Sequence, residues 1–333
     1  MKNKKILLVG GCGFIGHNLA LHLKNLGNNP IVVDSLSVNN ILSFAEDDIK
    51  NKKLYSSILN NRIELLKKNK INLIIQDARD YHAVSKIYSD INPDIIIHLA
   101  AVSHANKSNK DPHSTFDHSL RTLENTLDFA KNNKTHVVYM SSSMVYGDFN
   151  SQSVSEETPC KPIGIYGTLK LSGELLVRAY KQVFDLPYTI IRPSALYGER
   201  CVSRRVGQIF IENAIQNLEI IINGDGEDKL DFTYIEDLIN GIGLCCLNKN
   251  AVNETFNLTF GQSKKINDLA KILKQEFPNV NISYKEREKF MPERGTLNIN
   301  KAKKLIGYSP KNSIGEGYIK YINWYKNFWK NLN

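Results

Sequence analysis

Tyr166 and Lys170 lie four residues apart at the head of a stretch whose later apolar residues, Leu171, Leu175, Leu176 and Ala179, keep helical spacing. On such a helix the two side chains share one face. A phenol with an ordinary pKa of about 10 is a poor base at neutral pH, and an ammonium beside it stabilises the phenolate. If Ser142, from the Ser141-Ser142-Ser143 run upstream, holds a substrate alcohol, Tyr166 can take that alcohol's proton. A Tyr-x-x-x-Lys pair is also an ordinary feature of surface helices, so the reading depends on what surrounds it.

The elements that must position these groups can be followed from the N-terminus. An apolar run over 5–9 ends in Gly10-Gly11-Cys12-Gly13-Phe14-Ile15-Gly16, after which Ile15, Leu19, Leu23 and Leu26 keep helical spacing. This is strand, glycine turn and helix, an order that lets backbone approach a pyrophosphate and offers it a helix N-terminus. A second run, Ile31-Val32-Val33, ends at Asp34, 34 − 16 = 18 residues past the last glycine, where a carboxylate can bind both hydroxyls of an adenosine ribose. The same carboxylate repels a 2′-phosphate, so the expected cofactor is NAD rather than NADP.

Residues 36–70 are polar, with a weakly helical pattern from Ile49 to Leu66, and read as a variable excursion over the surface. Strand-like runs resume at 71–75 and 94–99, and continuous apolar runs of this kind suit a parallel sheet buried on both faces. Asp77 has two uses open to it: the adenine side of a dinucleotide site, or the N-cap of a helix over 80–89. His98 reads as a packed strand histidine. A helical pattern over roughly 114–133 leads to a strand at 135–140, which delivers the serines at its C-terminal end, where open α/β sheets place their ligands. Strand 188–192 follows the Tyr166 helix. Past Gly198 the pattern loosens: helices at 205–217, 236–247, 265–276 and 314–329 alternate irregularly with extended pieces at 219–222, 231–234 and 255–258. The expected fold is α/β, a Rossmann-type doubly wound parallel sheet with a smaller mixed α/β substrate-binding domain. Residues 1–192 are mainly the dinucleotide-binding domain and 193–333 mainly the substrate-binding domain, with interleaved elements.

The chain has 333 residues, 42% of them hydrophobic and 23% charged, as in ordinary soluble globular proteins. Its net charge of +9, from 43 Lys and Arg against 34 Asp and Glu, comes from scattered residues with no interleaved stacking aromatics, so no nucleic-acid partner is expected. The five cysteines contain no Cys-x-x-Cys pair, which indicates neither a disulfide framework nor a metal site and fits a reducing, cytoplasmic setting. The basic N-terminal segment is too short for a signal peptide, and no apolar run reaches membrane-spanning length.

Taken together, the residues resemble the extended short-chain dehydrogenase/reductases that act on nucleotide-activated sugars, the group of UDP-glucose 4-epimerase and its dehydratase relatives. The resemblance rests on the glycine turn, Asp34-Ser35-Leu36-Ser37, His98-Leu99-Ala100-Ala101, Ser141-Ser142-x-x-Val145-Tyr146-Gly147, Tyr166-Gly167-x-x-Lys170-x-x-x-Glu174, Arg192-Pro193 with Tyr197-Gly198, and Gly224-x-Gly226 before Asp231-Phe232 and Asp237. It implies that Gly10, Gly13, Phe14, Ile15, Gly16 and Asp34 hold NAD, that Leu99 and Ala100 lie against it, and that Asp77 and Ala78 meet the adenine. Lys170 would bind the nicotinamide ribose and lower the pKa of Tyr166, the base, while Ser142 orients the sugar hydroxyl and hydride leaves the sugar C4. It also implies a homodimer formed through the 114–133 helix and the Tyr166 helix.

Departures from the family pattern narrow the chemistry. The 4,6-dehydratases carry an Asp-Glu pair directly after the catalytic hydroxyl residue, and here those places are Ser143 and Met144. A methionine cannot serve as the acid or base that elimination requires. The family's Asn three residues after the strand-end Arg is Ala195 here, and its Arg before Asp-Phe is Leu230, so other groups must meet the nucleotide diphosphate. Arg200, Arg204, Arg205, Lys229 and Arg294 are the candidates by charge and donor geometry, each with a solvated surface cation as its alternative. Ser143 is a further substrate-side candidate, and His104 either faces the sugar or packs against backbone. The expected reaction is NAD-dependent hydride transfer at C4 of a UDP- or GDP-linked sugar, with net 4-epimerisation. Its alternative is a net 4-dehydrogenase or 4-ketoreductase in surface-polysaccharide heptose or hexose biosynthesis. A non-catalytic NAD-binding protein on the same fold is a second class, against which the intact Ser142, Tyr166 and Lys170 argue.

Overall fold

The computed structural model of the chain describes residues 2–44, 50–103, 105–287 and 291–332. The first half runs β1 (Lys5–Val9), α1 (Phe14–Asn25), β2 (Asn29–Asp34), α2 (Lys52–Lys68), β3 (Asn72–Ile75), α3 (Tyr81–Ile91), β4 (Ile95–His98), α4 (Ala105–Lys110), α5 (Pro112–Phe116), α6 (Thr122–Asn133), β5 (His136–Met140), β6 (Ser153–Val154), α7 (Gly164–Phe184) and β7 (Tyr188–Arg192). The second half runs β8 (Leu196–Tyr197), α8 (Val206–Ile215), β9 (Ile220–Asn223), β10 (Lys229–Leu230), β11 (Thr233–Tyr234), α9 (Ile235–Leu247), β12 (Glu254–Asn257), β13 (Lys264–Lys265), α10 (Ile266–Glu276), β14 (Ile282–Lys285), β15 (Thr296–Leu297), α11 (Asn300–Ile306) and α12 (Ile314–Lys330).

Seven strands form one sheet in the order β12-β7-β5-β4-β1-β2-β3, and every neighbouring pair is parallel. Alternate residues of its strands enter different cores: Ile6, Leu8, Val32 and Ile97 pack on one face, and Leu7, Val9, Val33 and Ile96 on the other. A strand period of two combined with apolar residues at every position is what a sheet covered on both sides requires. The chain order reverses between β1 and β4, and the crevice outside their C-terminal ends is the place for a ligand in such a sheet.

The structure departs from the sequence expectations at three points and excludes one of two open readings at a fourth. First, the 255–258 piece becomes β12 and pairs with β7, so an element from the second half completes the main sheet. Second, α2 buries Leu54, Tyr55, Ile58, Leu59, Arg62 and Leu66 instead of passing over the surface. Its Tyr55 hydroxyl donates to Glu212 on α8 at 2.7 Å, and Arg62 donates to the Arg200 carbonyl. Third, the 114–133 helix is interrupted by one π-helical stretch, Asp117–Arg121, between α5 and α6. Fourth, α3 is capped by Asp80, whose carboxylate accepts from Ala83 N at 3.1 Å, which leaves Asp77 outside that role. Among the described residues no helix is long and apolar enough to cross a membrane, and all five cysteines are free thiols.

Candidate functional site

Gly10 takes up the end of β1 with φ +76°, and a Cβ there would lie 2.6 Å from Ala100 N, so the turn must pack directly on the segment leaving β4. A Cβ at Gly16 would meet Gly11 O at 2.4 Å, which seats α1 against the turn. No side chain caps α1 and no acidic residue occupies its first turn, so its leading amides suit an anion. Asp34, only 8% exposed, closes β2: Oδ2 accepts from Cys12 N at 2.8 Å and Oδ1 from Leu36 N at 2.7 Å. Burial pushes its pKa up, and the two N–H donors oppose that. Each carboxylate oxygen has a second lone pair for a ribose hydroxyl. The bare turn, the uncapped amides and this carboxylate fit NAD. Phe14, Ile15, Gly13, Ala78, Leu99 and Ala100 line the same crevice, and so does Asp77, which pairs with Arg79 at 2.7 Å and is held below the ordinary carboxylate pKa by it.

β5 delivers Ser141 and Ser142. Ser141 Oγ donates to Glu174 Oε1 at 2.5 Å, and Glu174 is clamped by Arg192 through Nε at 2.9 Å and Nη2 at 2.7 Å. Arg192 Nη1 donates to Tyr146 Oη at 2.9 Å, and Tyr146 donates to Asn257 Oδ1 at 2.8 Å. This buried chain ties together β5, α7, β7 and β12, the elements behind Ser142 and Tyr166. Gly167 allows α7 to come close, since a Cβ there would sit 2.6 Å from Met144 O. Ser142 Oγ accepts from Met144 N at 3.2 Å, and Ser142 lies close enough to Tyr166 to act on its phenol.

Lys170 follows one helical turn after Tyr166, with Nζ donating to Met140 O at 2.6 Å and lying 5.3 Å from the centre of the Tyr139 ring. Burial lowers its pKa to about 8, against the opposing pull of Glu174. Burial also raises the pKa of Tyr166, and the influences that lower it are the charge of Arg205 and the neighbouring Ser142. The Lys170 ammonium is turned to a main-chain carbonyl, and a cation from the second half of the chain faces the phenol.

Arg205, at the head of α8, donates from Nη2 to Ser103 O at 3.3 Å, and its buried Nε has no partner. Arg294 likewise has a buried, unpartnered Nε, and burial together with the nearby Arg205 lowers its pKa to about 10. Asp228 partly offsets this charge but is itself paired with Arg287 at 3.0 Å. Arg204, exposed, and Ser143, buried, line the same cavity, as does Lys229. Arg200 turns away, with Nε donating to His17 Nε2 at 3.2 Å. His104 lies outside the described residues. One cavity of about 590 Å³ therefore brings together Gly10, Asp34, Ser142, Tyr166, Lys170, Arg205 and Arg294, which are up to 284 residues apart in the chain (294 − 10).

Two contributors escaped the sequence reading. The Glu174–Arg192 clamp was visible only as motif letters, although Glu174 falls four residues after Lys170 on the same helical face. Arg62 stands at a position of α2 otherwise filled by apolar residues, and the 58, 62, 66 spacing is the signal that it points inward.

Residues 6–259 match the model of the NAD dependent epimerase/dehydratase family. The chain is 31% identical to a putative UDP-glucose 4-epimerase of Methanocaldococcus jannaschii, over 97% of this chain and 98% of that protein. Its structure is similar to that of UDP-glucuronic acid 4-epimerase from Bacillus cereus in complex with UDP-glucuronic acid and NAD, with a TM-score of 0.87, 27% identity and coverage of 97% of this chain and 99% of the other. It is also similar to UDP-glucose 4-epimerase with UDP-glucose from Thermotoga maritima, with a TM-score of 0.86, 26% identity and coverage of 98% and 99%. With its glycine turn and Asp34 fitted to a dinucleotide and its Ser142, Tyr166 and Lys170 in one cavity, the chain belongs to the NAD-dependent epimerase/dehydratase family and is an NAD-dependent enzyme of the extended short-chain dehydrogenase/reductase type.

Proposed function

We propose that this enzyme interconverts the C4 epimers of a nucleotide diphosphate sugar, UDP- or GDP-linked. The observation that carries the reading is that Ser142 and Tyr166 line one cavity with two arginines whose Nε atoms are buried without partners. Ser142 holds the sugar C4 hydroxyl while Tyr166 accepts its proton, a transfer favoured by the positive charge of Arg205. When bound, NAD would supply the hydride chemistry at C4, with inversion following from hydride return to the opposite face of the sugar. Lys170, fixed by Met140 O, presents a cation and donor to the cofactor's ribose. Arg205 and Arg294 meet the diphosphate, because two neighbouring guanidiniums, neither in an ion pair among the described residues, suit a multiply charged anion. Ser143 and Met144 supply no acid–base pair for eliminating water, which favours epimerisation over dehydration.

The test is incubation of purified protein with UDP-, GDP-, dTDP- and CDP-sugars, with products followed by NMR and bound cofactor by absorbance. Formation of a 4-epimer without net reduction of the cofactor is the expected result. A stoichiometric 4-keto product would instead support the net dehydrogenase, and no turnover of any nucleotide sugar would remove the proposal. A homodimer is proposed through the helical segment of residues 114–133 together with α7, on which Leu175 and Val183 are 59% and 72% exposed. Sedimentation as a monomer at micromolar concentration would exclude it.

A further inference from the structure

Arg62 is among the largest fully buried side chains, 1% exposed, and among the described residues no carboxylate pairs with it directly. Its Nε and Nη2 both donate to Arg200 O, at 3.1 and 2.5 Å, while Nη1 is buried without a partner. Leaving such a donor unsatisfied costs about 1–3 kcal/mol. Since the guanidinium is planar and two of its nitrogens are tied to one carbonyl, the direction of Nη1 is fixed.

The support behind it is equally specific. Arg200 adopts φ +65°, its Nε donates to His17 Nε2, and His17 Nδ1 donates to Gly13 O at 2.8 Å. That chain of contacts holds Arg62 in register with the glycine turn. Arg62 lines the crevice at the same end as Val33, Asp34 and Asn39, and its charge acts on Asp34.

We propose that Arg62 is a cofactor-binding residue that reads the adenosine ribose, with Nη1 donating to the hydroxyl oxygen whose proton goes to Asp34. An acceptor and a donor then address the same ribose edge. The charge of Asp34 is what keeps a 2′-phosphate out, and with that charge removed the waiting guanidinium becomes a phosphate donor.

Binding of NAD, NADP and adenosine 2′,5′-bisphosphate would be measured by calorimetry on the wild-type chain stripped of nucleotide, on Asp34→Asn, and on Asp34→Asn/Arg62→Met. Folding of each variant is checked by circular dichroism and cooperative melting, and Asp34→Ser replaces Asp34→Asn in both variants should the latter misfold. The expected result is a gain of about tenfold or more in affinity for the bisphosphate on removing the Asp34 charge, lost again when Arg62 is also replaced. A folded variant without the Asp34 charge that binds the bisphosphate no more tightly than wild type, or a gain that survives loss of Arg62, would overturn the proposal.

Discussion

Arg192 lies buried behind one wall of the cavity and Arg294 lines another, and the two show opposite states of hydrogen bonding. Arg192 is saturated: Glu174 takes Nε and Nη2, and Tyr146 takes Nη1. Arg294 has another arginine for a neighbour and a buried Nε with no acceptor. A saturated buried network fixes the geometry of whatever is attached to it, here Ser141, the neighbour of Ser142, and α7. Unsatisfied donors of one charge, gathered at a cavity wall, are suited to an anionic ligand. The difference separates residues that position from residues that bind, and substitutions can be chosen to test each side.

The largest expected effect is on the chemistry that the saturated wall presents. Tyr166→Phe removes the proton acceptor and should lower kcat by up to about 10⁴-fold while NAD binding, followed by calorimetry, and the melting temperature hardly change. A loss of stability equal to the loss of activity would show that Tyr166 is part of the saturated network rather than a group presented by it. Glu174→Ala attacks that network directly. It leaves Arg192 buried without its carboxylate and should cost about 3–5 kcal/mol of stability in urea melts.

How much of this was legible in the sequence follows from the range of each interaction. The glycine turn, Asp34 and the Tyr166/Lys170 pair sit within single strand-turn-helix units, where period and punctuation reveal them. The pairing of β12 with β7 joins residues 65 apart (254 − 189), and no local pattern signals it. The clamp from Ser141 through Glu174, Arg192 and Tyr146 to Asn257 draws on four separate elements, so its letters were readable but its geometry was not. Residues 36–70 were misjudged because α2 is polar in composition, although Leu54, Ile58 and Leu66 mark a buried face. Arg205 was a candidate for phosphate binding, yet its effect on Tyr166 depends on the chain just before α8 coming close to α7, which only the tertiary structure reveals.

On the unsatisfied wall, Arg294→Ala should raise the Kd for UDP or GDP by roughly tenfold to a hundredfold, as expected for a charge-assisted contact, with little change in melting temperature. A marked drop in melting temperature without a change in nucleotide affinity would place Arg294 with the positioning residues instead. A smaller effect comes from two histidines of the sheet, the buried His98 and the half-buried His136. Burial lowers His98 to about 3 and His136 to about 4, both below the ordinary value of 6.5. Below about pH 6.5 the unfolded chain binds protons that the folded chain does not, so stability should fall as pH drops toward about 4, by up to about 1.4 kcal/mol per pH unit for each histidine. A flat denaturant midpoint between pH 7 and 5 would contradict that burial.

The central claim, hydride transfer at the sugar C4 with Tyr166 as the proton acceptor, is tested most directly by isotope tracing. An active nucleotide sugar deuterated at C4 would be converted in ordinary water and the product read by NMR and mass spectrometry. The expected result is a 4-epimer that keeps its deuterium at C4. Loss of the label to solvent, or an epimer whose altered centre is not C4, would contradict it.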